Sequence, residues 1–143
     1  MADINHKFPI QASIQKVVDG FTTPKGLDGW WSKNSSGQPQ MGTEYELDFG
    51  PGYVWKAEVT KCTTNFEFEL TMISADVDWI NTKVGCILDG NDEKTQVHFY
   101  HRGWPNSNNH YHTSNYCWAM YLRILKRNLE FGEEVPYERR LDV

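Results

Sequence analysis

Residues Asn109 to Phe131 read Asn-His-Tyr-His-Thr-Ser-Asn-Tyr-Cys-Trp-Ala-Met-Tyr-Leu-Arg-Ile-Leu-Lys-Arg-Asn-Leu-Glu-Phe, with no Pro or Gly inside. Tyr111, Asn115, Trp118, Leu122, Leu125 and Leu129 recur at spacings of three and four, which makes one face of a helix. Asn108 or Asn109 can cap its start, because a short side-chain carbonyl accepts an orphan backbone N–H. Gly132 suits its end, and Pro136 follows soon after. At the usual rise per residue this is a rod roughly 30 Å long. The rest of the chain must give the rod's apolar face something to lie on.

The segments before it alternate with period two. Tyr45, Leu47 and Phe49 share one face, with Glu44, Glu46 and Asp48 on the other. Gly50-Pro51-Gly52 reads as a turn. Tyr53, Trp55, Ala57 and Val59 form the next inward row, then Phe66, Phe68, Leu70 and Met72. Ser74 to Asp78 reads as a loop. Thr82, Val84, Cys86 and Leu88 come next, a hairpin signal at Asp89-Gly90-Asn91-Asp92 follows, and Thr95, Val97, Phe99 and His101 make the last row. Such alternation predicts an antiparallel sheet with one wet and one buried face. Asn5 to Ala12 reads as a first strand. Ser13 caps a short helix over Ile14–Phe21, and Thr23 caps a second one opened by Pro24 and leading to Leu27, Trp30 and Trp31. Asn34 to Gly42 reads as a loop.

The order is strand, two short helices, five or six antiparallel strands and a long helix. This predicts an α+β fold in which a curved sheet wraps a C-terminal helix. A curved sheet does not close tightly on one rod everywhere. A pocket is therefore expected between sheet, helix and the Trp30-Trp31 brace.

With 143 residues, one domain over residues 1–143 is expected. The net charge is −5 without any run of like charge, and the basic residues Arg123, Lys126 and Arg127 sit on the back of the rod, with Arg139-Arg140 in the tail. A nucleic-acid binder needs a concentrated basic face, so that class is set aside. No apolar run is long enough to span a membrane. The first residues have no secretory apolar core, and Cys62, Cys86 and Cys117 are widely spaced, so free thiols and a cytoplasmic location are expected. Fourteen per cent of residues are aromatic, and Tyr and Trp suit ligand cavities as well as cores.

Inward His101 is the candidate acid or base, since imidazole titrates near neutrality. Structural hydrogen bonding is the competing role. His110, His112 and Cys117 do not fit a metal site, because helical residues two apart diverge by about 200°; no metal or cofactor is expected. Cys86 and Cys117 lack a visible base and read as small hydrophobes. Glu44, Glu46, Asp48, Glu58, Glu67 and Glu69 fall on the outward parity, as a solvated face.

The residues resemble a known family. Its carriers are Ile10-Gln-Ala12 with Val17, Thr23-Pro24 to Trp30-Trp31, the strand Thr95-x-Val97-x-Phe99-x-His101-x-Gly103-Trp104, and Trp118 to Leu129 ending in Gly132. The chain resembles the SRPBCC (START-like, Bet v 1-like) superfamily, in the group related to the activator of Hsp90 ATPase. The resemblance implies a helix-grip fold with a seven-stranded sheet, and binding of hydrophobic molecules such as lipids, sterols or polyketides. Met41-Gly42-Thr43 stands where the family often has Gly-Gly. The separate Hsp90-binding domain of the eukaryotic activators has no counterpart in these residues, so Hsp90 interaction is not implied.

The leading expectation is non-catalytic binding of a lipid-like or aromatic molecule. Its lining would be Trp30, Trp31, Tyr45, Trp55, Phe68, Thr82, Phe99, His101, Trp118 and Leu122. The alternatives are a cyclase- or hydrolase-type enzyme using His101, and a stress-related co-chaperone-like protein acting through an exposed apolar patch. A homodimer is left open.

Overall fold

The computed structural model describes residues 2–143. Strand β1 (Ala2–Ile10) is followed by helices α1 (Ile14–Thr22) and α2 (Pro24–Asp28). Six strands come next: β2 (Asn34–Ser36), β3 (Glu44–Asp48), β4 (Val54–Thr63), β5 (Glu67–Ser74), β6 (Lys83–Gly90) and β7 (Thr95–Trp104). The long helix α3 (Asn109–Phe131) and a short 3-10 turn (Tyr137–Asp142) complete the chain.

The strands form one antiparallel sheet in the order β1-β7-β6-β5-β4-β3-β2. The first strand therefore sits beside the last, with Ile4 opposite His101 and Ile10 opposite Thr95. The caps form where the short polar residues stand. Ser13 accepts from Lys16 N, Thr23 from Gly26 N and Asn108 from Tyr111 N. Gly132 closes α3 in the left-handed region at φ 69°, where a residue without Cβ carries least strain. Helices α1 and α2 meet tightly at Gly26, where an added Cβ would collide with the Asp19 carbonyl oxygen.

The inward parity holds along the sheet. Tyr45, Leu47, Ala57, Val59, Leu70, Met72, Val84, Cys86, Leu88, Val97 and Phe99 are all buried. From α3, Trp118, Leu122 and Leu125 press down on them.

Four features differ from the sequence reading. Residues Asn34–Ser36, read as loop, form edge strand β2, paired with Asp48, Leu47 and Glu46. Tyr53 and Phe66, both assigned to inward rows, lie exposed in the β3–β4 and β4–β5 turns. Glu69, placed on a solvated face, is buried on the convex side of the sheet. There Tyr100 lies across Gly85, whose missing Cβ would stand 2.6 Å from the phenol. The Tyr100 hydroxyl is shared between Glu67 and Glu69 at 2.9 and 2.8 Å, Thr60 donates to Glu69 at 2.6 Å, and Arg102 covers the Tyr100 ring at 3.7 Å. Parity gives the face of a residue but not what covers it. Arg140, read as part of a basic tail, is also buried. It donates to the carbonyls of Ser32, Asp28 and Val135, which pins the C-terminal turn to the end of α2.

Candidate functional site

Two separate segments, the turn after α2 and helix α3, bring Trp30, Trp31 and Trp118 together. Ring centroids are 6.1 Å apart for Trp30–Trp31, 6.3 Å for Trp30–Trp118 and 5.2 Å for Trp31–Trp118. The Trp30 indole donates to Gly20 O at 2.9 Å, which fixes the brace to α1. A closed circuit of rings follows from there. Trp31 meets Phe49 at 5.5 Å, Phe49 meets Trp55 at 5.0 Å, Trp55 meets Trp79 at 5.0 Å, and Trp79 stacks on Trp118 at 5.7 Å. Aromatic pairs at such spacings contribute roughly 0.5–1.5 kcal/mol each beyond area burial.

Trp79 is the member that sequence reasoning missed. It belongs to the β5–β6 connection, where no periodicity assigns a side chain to a face. The turn folds it inward, with Trp79 N bonded to Asp76 O, Thr82 N to Trp79 O, and Asn81 at φ 68°. A lone indole between Asp78 and Asn81 was the available signal.

His101 lies at the centre of this end of the core, fully buried. Its ring is 4.5 Å from Trp79, 4.9 Å from Trp104 and 5.9 Å from Trp118. The hydrogen bonds determine its state. The Trp118 indole can only donate, and it donates to His101 Nδ1 at 3.1 Å. The proton therefore sits on Nε2, which donates to Thr82 Oγ1 at 2.7 Å. Thr82 in turn donates to Trp79 O at 2.5 Å. Burial, with a smaller contribution from His110, holds the imidazole's pKa down to about 3. The ring is neutral at pH 7 and has no free lone pair. This end of the core is filled by Trp79 and Trp104, both buried. Their indole N–H groups are buried without a partner among the described residues.

The remaining expected lining residues are spread out. Trp55 joins the ring circuit and is partly exposed. Tyr45 is buried toward α1, donating to Thr22 O at 2.5 Å and touching Phe68 edge-on at 5.8 Å. Burial raises its phenol pKa above the usual range. Leu122 packs under α3 on the β1 side.

The interior void is small, about 20 Å³, and is walled by Phe21, Leu27, Trp30, Trp31, Phe68, Leu70, Val84, Gly85, Cys86 and Phe99. A second, outer space of about 160 Å³ lies by the β4–β5 turn, between Val18, Thr22, Pro39, Cys62 and residues 63–68. The two share Phe68 and Cys86 as walls. Burial pushes the Cys86 thiol well up, so it is no nucleophile. His110 approaches Asp78 at 3.0 Å and Asp76 at 4.0 Å, but among the described residues no His, Cys, Asp and Glu cluster is arranged to hold a metal ion.

A curved seven-stranded sheet gripping one long helix, with two short helices after the first strand, defines the START-like, Bet v 1-like class. Within that class the chain belongs to the family described as activator of Hsp90 ATPase homolog 1-like proteins, whose model matches residues 11–130. Among solved structures it is similar to the Aha1 dimer from Colwellia psychrerythraea, at 29% identity and TM-score 0.82, over 93% of this chain and 99% of that one. It is also similar to SSP2350 from Staphylococcus saprophyticus, at 18% identity and TM-score 0.78, over 94% and 96% of the two chains. CalU16 from Micromonospora echinospora shares the fold at 14% identity and TM-score 0.75, over 98% and 81%. No curated protein matches the sequence.

Proposed function

We propose that the protein binds a small hydrophobic molecule, aromatic or lipid-like, in its aromatic interior without catalysing a reaction. The carrying observation is that an outer space and an inner void share two walls, Phe68 and Cys86, of which the Phe68 phenyl is the larger. Rotation of that phenyl joins them into a channel that ends on Trp30, Trp31 and Phe99. The interior is nearly closed at rest, so a guest widens it by moving rings. Further along, the unpartnered indoles of Trp79 and Trp104 suit a guest carrying a hydrogen-bond acceptor. His101 has both nitrogens engaged, which speaks against the cyclase or hydrolase reading, since a general base needs a free lone pair in reach of substrate. Its role in this reading is to hold Trp118 and Thr82 in place. Three free thiols fit a cytoplasmic location, and among the described residues no helix is long and apolar enough to cross a membrane.

The test is native mass spectrometry for a co-purified guest, with titration of the neutral probe N-phenyl-1-naphthylamine. Phe68→Ala removes the dividing wall and should strengthen probe binding about tenfold, as an engineered apolar cavity does. Absence of any guest, together with equal probe response in wild type and variant, refutes the reading.

A second reading, self-association, is favoured by one surface. Tyr53, Val54, Ile73, Val77 and Ile80 are exposed at one end of β4 and β5 and on the β5–β6 connection, with Val77 83% exposed. The related Colwellia protein is described as a dimer. Light scattering on wild type and Val77→Asp tests it: a dimer lost in the variant supports this surface, and a monomeric wild type refutes it. An Hsp90 partner is not part of either reading.

A further inference from the structure

Strand β1 is an edge strand, paired only with β7. Helix α3 bonds to its backbone near both ends. Tyr111 donates to Asp3 O at 2.8 Å, and Lys126 donates to Pro9 O at 2.6 Å. Between these two ties strand and helix separate, leaving a groove of about 340 Å³. Its helix wall is the stripe Ala119, Leu122, Arg123 and Lys126, spaced by three, one and three residues. Its strand wall includes His6 and Phe8, both of inward parity.

The groove has an apolar floor and a polar point. Phe8 and Leu122 supply the floor. His6 Nε2 is buried and has no partner among the described residues. A buried ring nitrogen left unpaired carries a desolvation cost that a ligand's polar group can relieve. Lys126 is committed to Glu130 at 2.6 Å, but Arg123 is exposed and has no ion-pair partner among the described residues. The guanidinium fork matches the two oxygens of a carboxylate.

We infer that this groove is a second binding site, for a small amphipathic monocarboxylate of the medium-chain alkyl or aryl kind. The carboxylate accepts from Arg123 and from His6 Nε2–H, while the apolar body covers Phe8 and Leu122. The groove shares no lining residue with the interior void, and it does not rest on the interior reading.

The experiment is a two-dimensional NMR titration of the full chain with decanoate, and with decanol as its neutral twin, both below micelle formation. The expected result is saturable shifts at the amides of His6, Phe8 and Arg123, with the indole signals of Trp30, Trp79 and Trp104 unmoved. Decanol should bind about tenfold more weakly, and Arg123→Glu should lower decanoate affinity by about tenfold while leaving decanol unchanged, the scale of a lost charge-assisted pair. His6→Phe should weaken decanoate while melting no lower than wild type, because an unpaired nitrogen is replaced by carbon. Equal binding of decanoate and decanol, no saturation, or an Arg123→Glu variant that binds like wild type overturns the proposal. Shifts confined to the indoles also overturn it, while supporting the interior site. Groove shifts with silent indoles support it whatever becomes of that other site.

Discussion

Replacing His101 by Gln should remove a defined share of the protein's acid sensitivity. In the folded chain the imidazole is held neutral by burial, with its pKa near 3 against an ordinary 6.5. A depressed folded-state pKa means that the unfolded chain takes up the proton first. The stability from this group is complete above pH 6.5 and is lost as pH falls toward 3. Between pH 7 and pH 5 the folded ring stays unprotonated while the unfolded one charges, which costs about 2 kcal/mol. Gln keeps an acceptor for Trp118 and a donor for Thr82 but cannot titrate. Urea melts of wild type and His101→Gln at the two pH values measure the difference directly. His98, whose pKa burial also lowers, contributes to both proteins and cancels. The pH-dependent loss should be about 2 kcal/mol smaller in the variant. Identical losses would mean that His101 is accessible to protons in the folded state, and the neutral, doubly bonded ring would be wrong.

Two further outcomes test the frame. Leu122→Ala, buried under α3, should cost roughly 2–5 kcal/mol, while exposed Glu58→Ala should stay within about 0.5 kcal/mol in the same denaturant melts; equal losses would refute the strand and helix faces. Gly85→Ala should cost about 1–3 kcal/mol, because its Cβ pushes Tyr100 off Glu67 and Glu69; a neutral thermal melt would refute the close approach.

The sheet and rod were legible because both periods are clean. Ser13, Thr23, Asn108 and Gly132 mark their helix ends by the chemistry of their side chains, or by the lack of one. Parity also placed Phe68, Thr82, Phe99 and His101 inward. It could not say what they meet. Of the three bonds running from Trp118 through His101 and Thr82 to Trp79, two join residues 17 and 19 positions apart, and the third lies in a turn without pattern. The size of the interior was equally out of reach. It depends on how six tryptophans and their neighbours interlock, and the fold alone permits both a wide cavity and the 20 Å³ left here. Glu69 was misplaced for a related reason: the convex face is covered locally by Tyr100, and only because Gly85 beneath it has no side chain.

The sheet order also governs when the chain can be completed. Strand β1 is made before every other strand of the sheet, yet its one neighbour among the described strands is β7, with Ile4 waiting for His101. Strands β3 to β7 can grow as successive hairpins, each pairing with the one just made. The residues of β1 stay without their native partner until β7 is made, with Ile10 and its partner Thr95 standing 85 positions apart (95 − 10). The loop that then closes is the longest of any strand pairing in the sheet, so its closure entropy is the largest within the sheet. Pro9 near the strand's end and Lys7 in its middle suit that delay, since both discourage a lone strand from pairing with other chains.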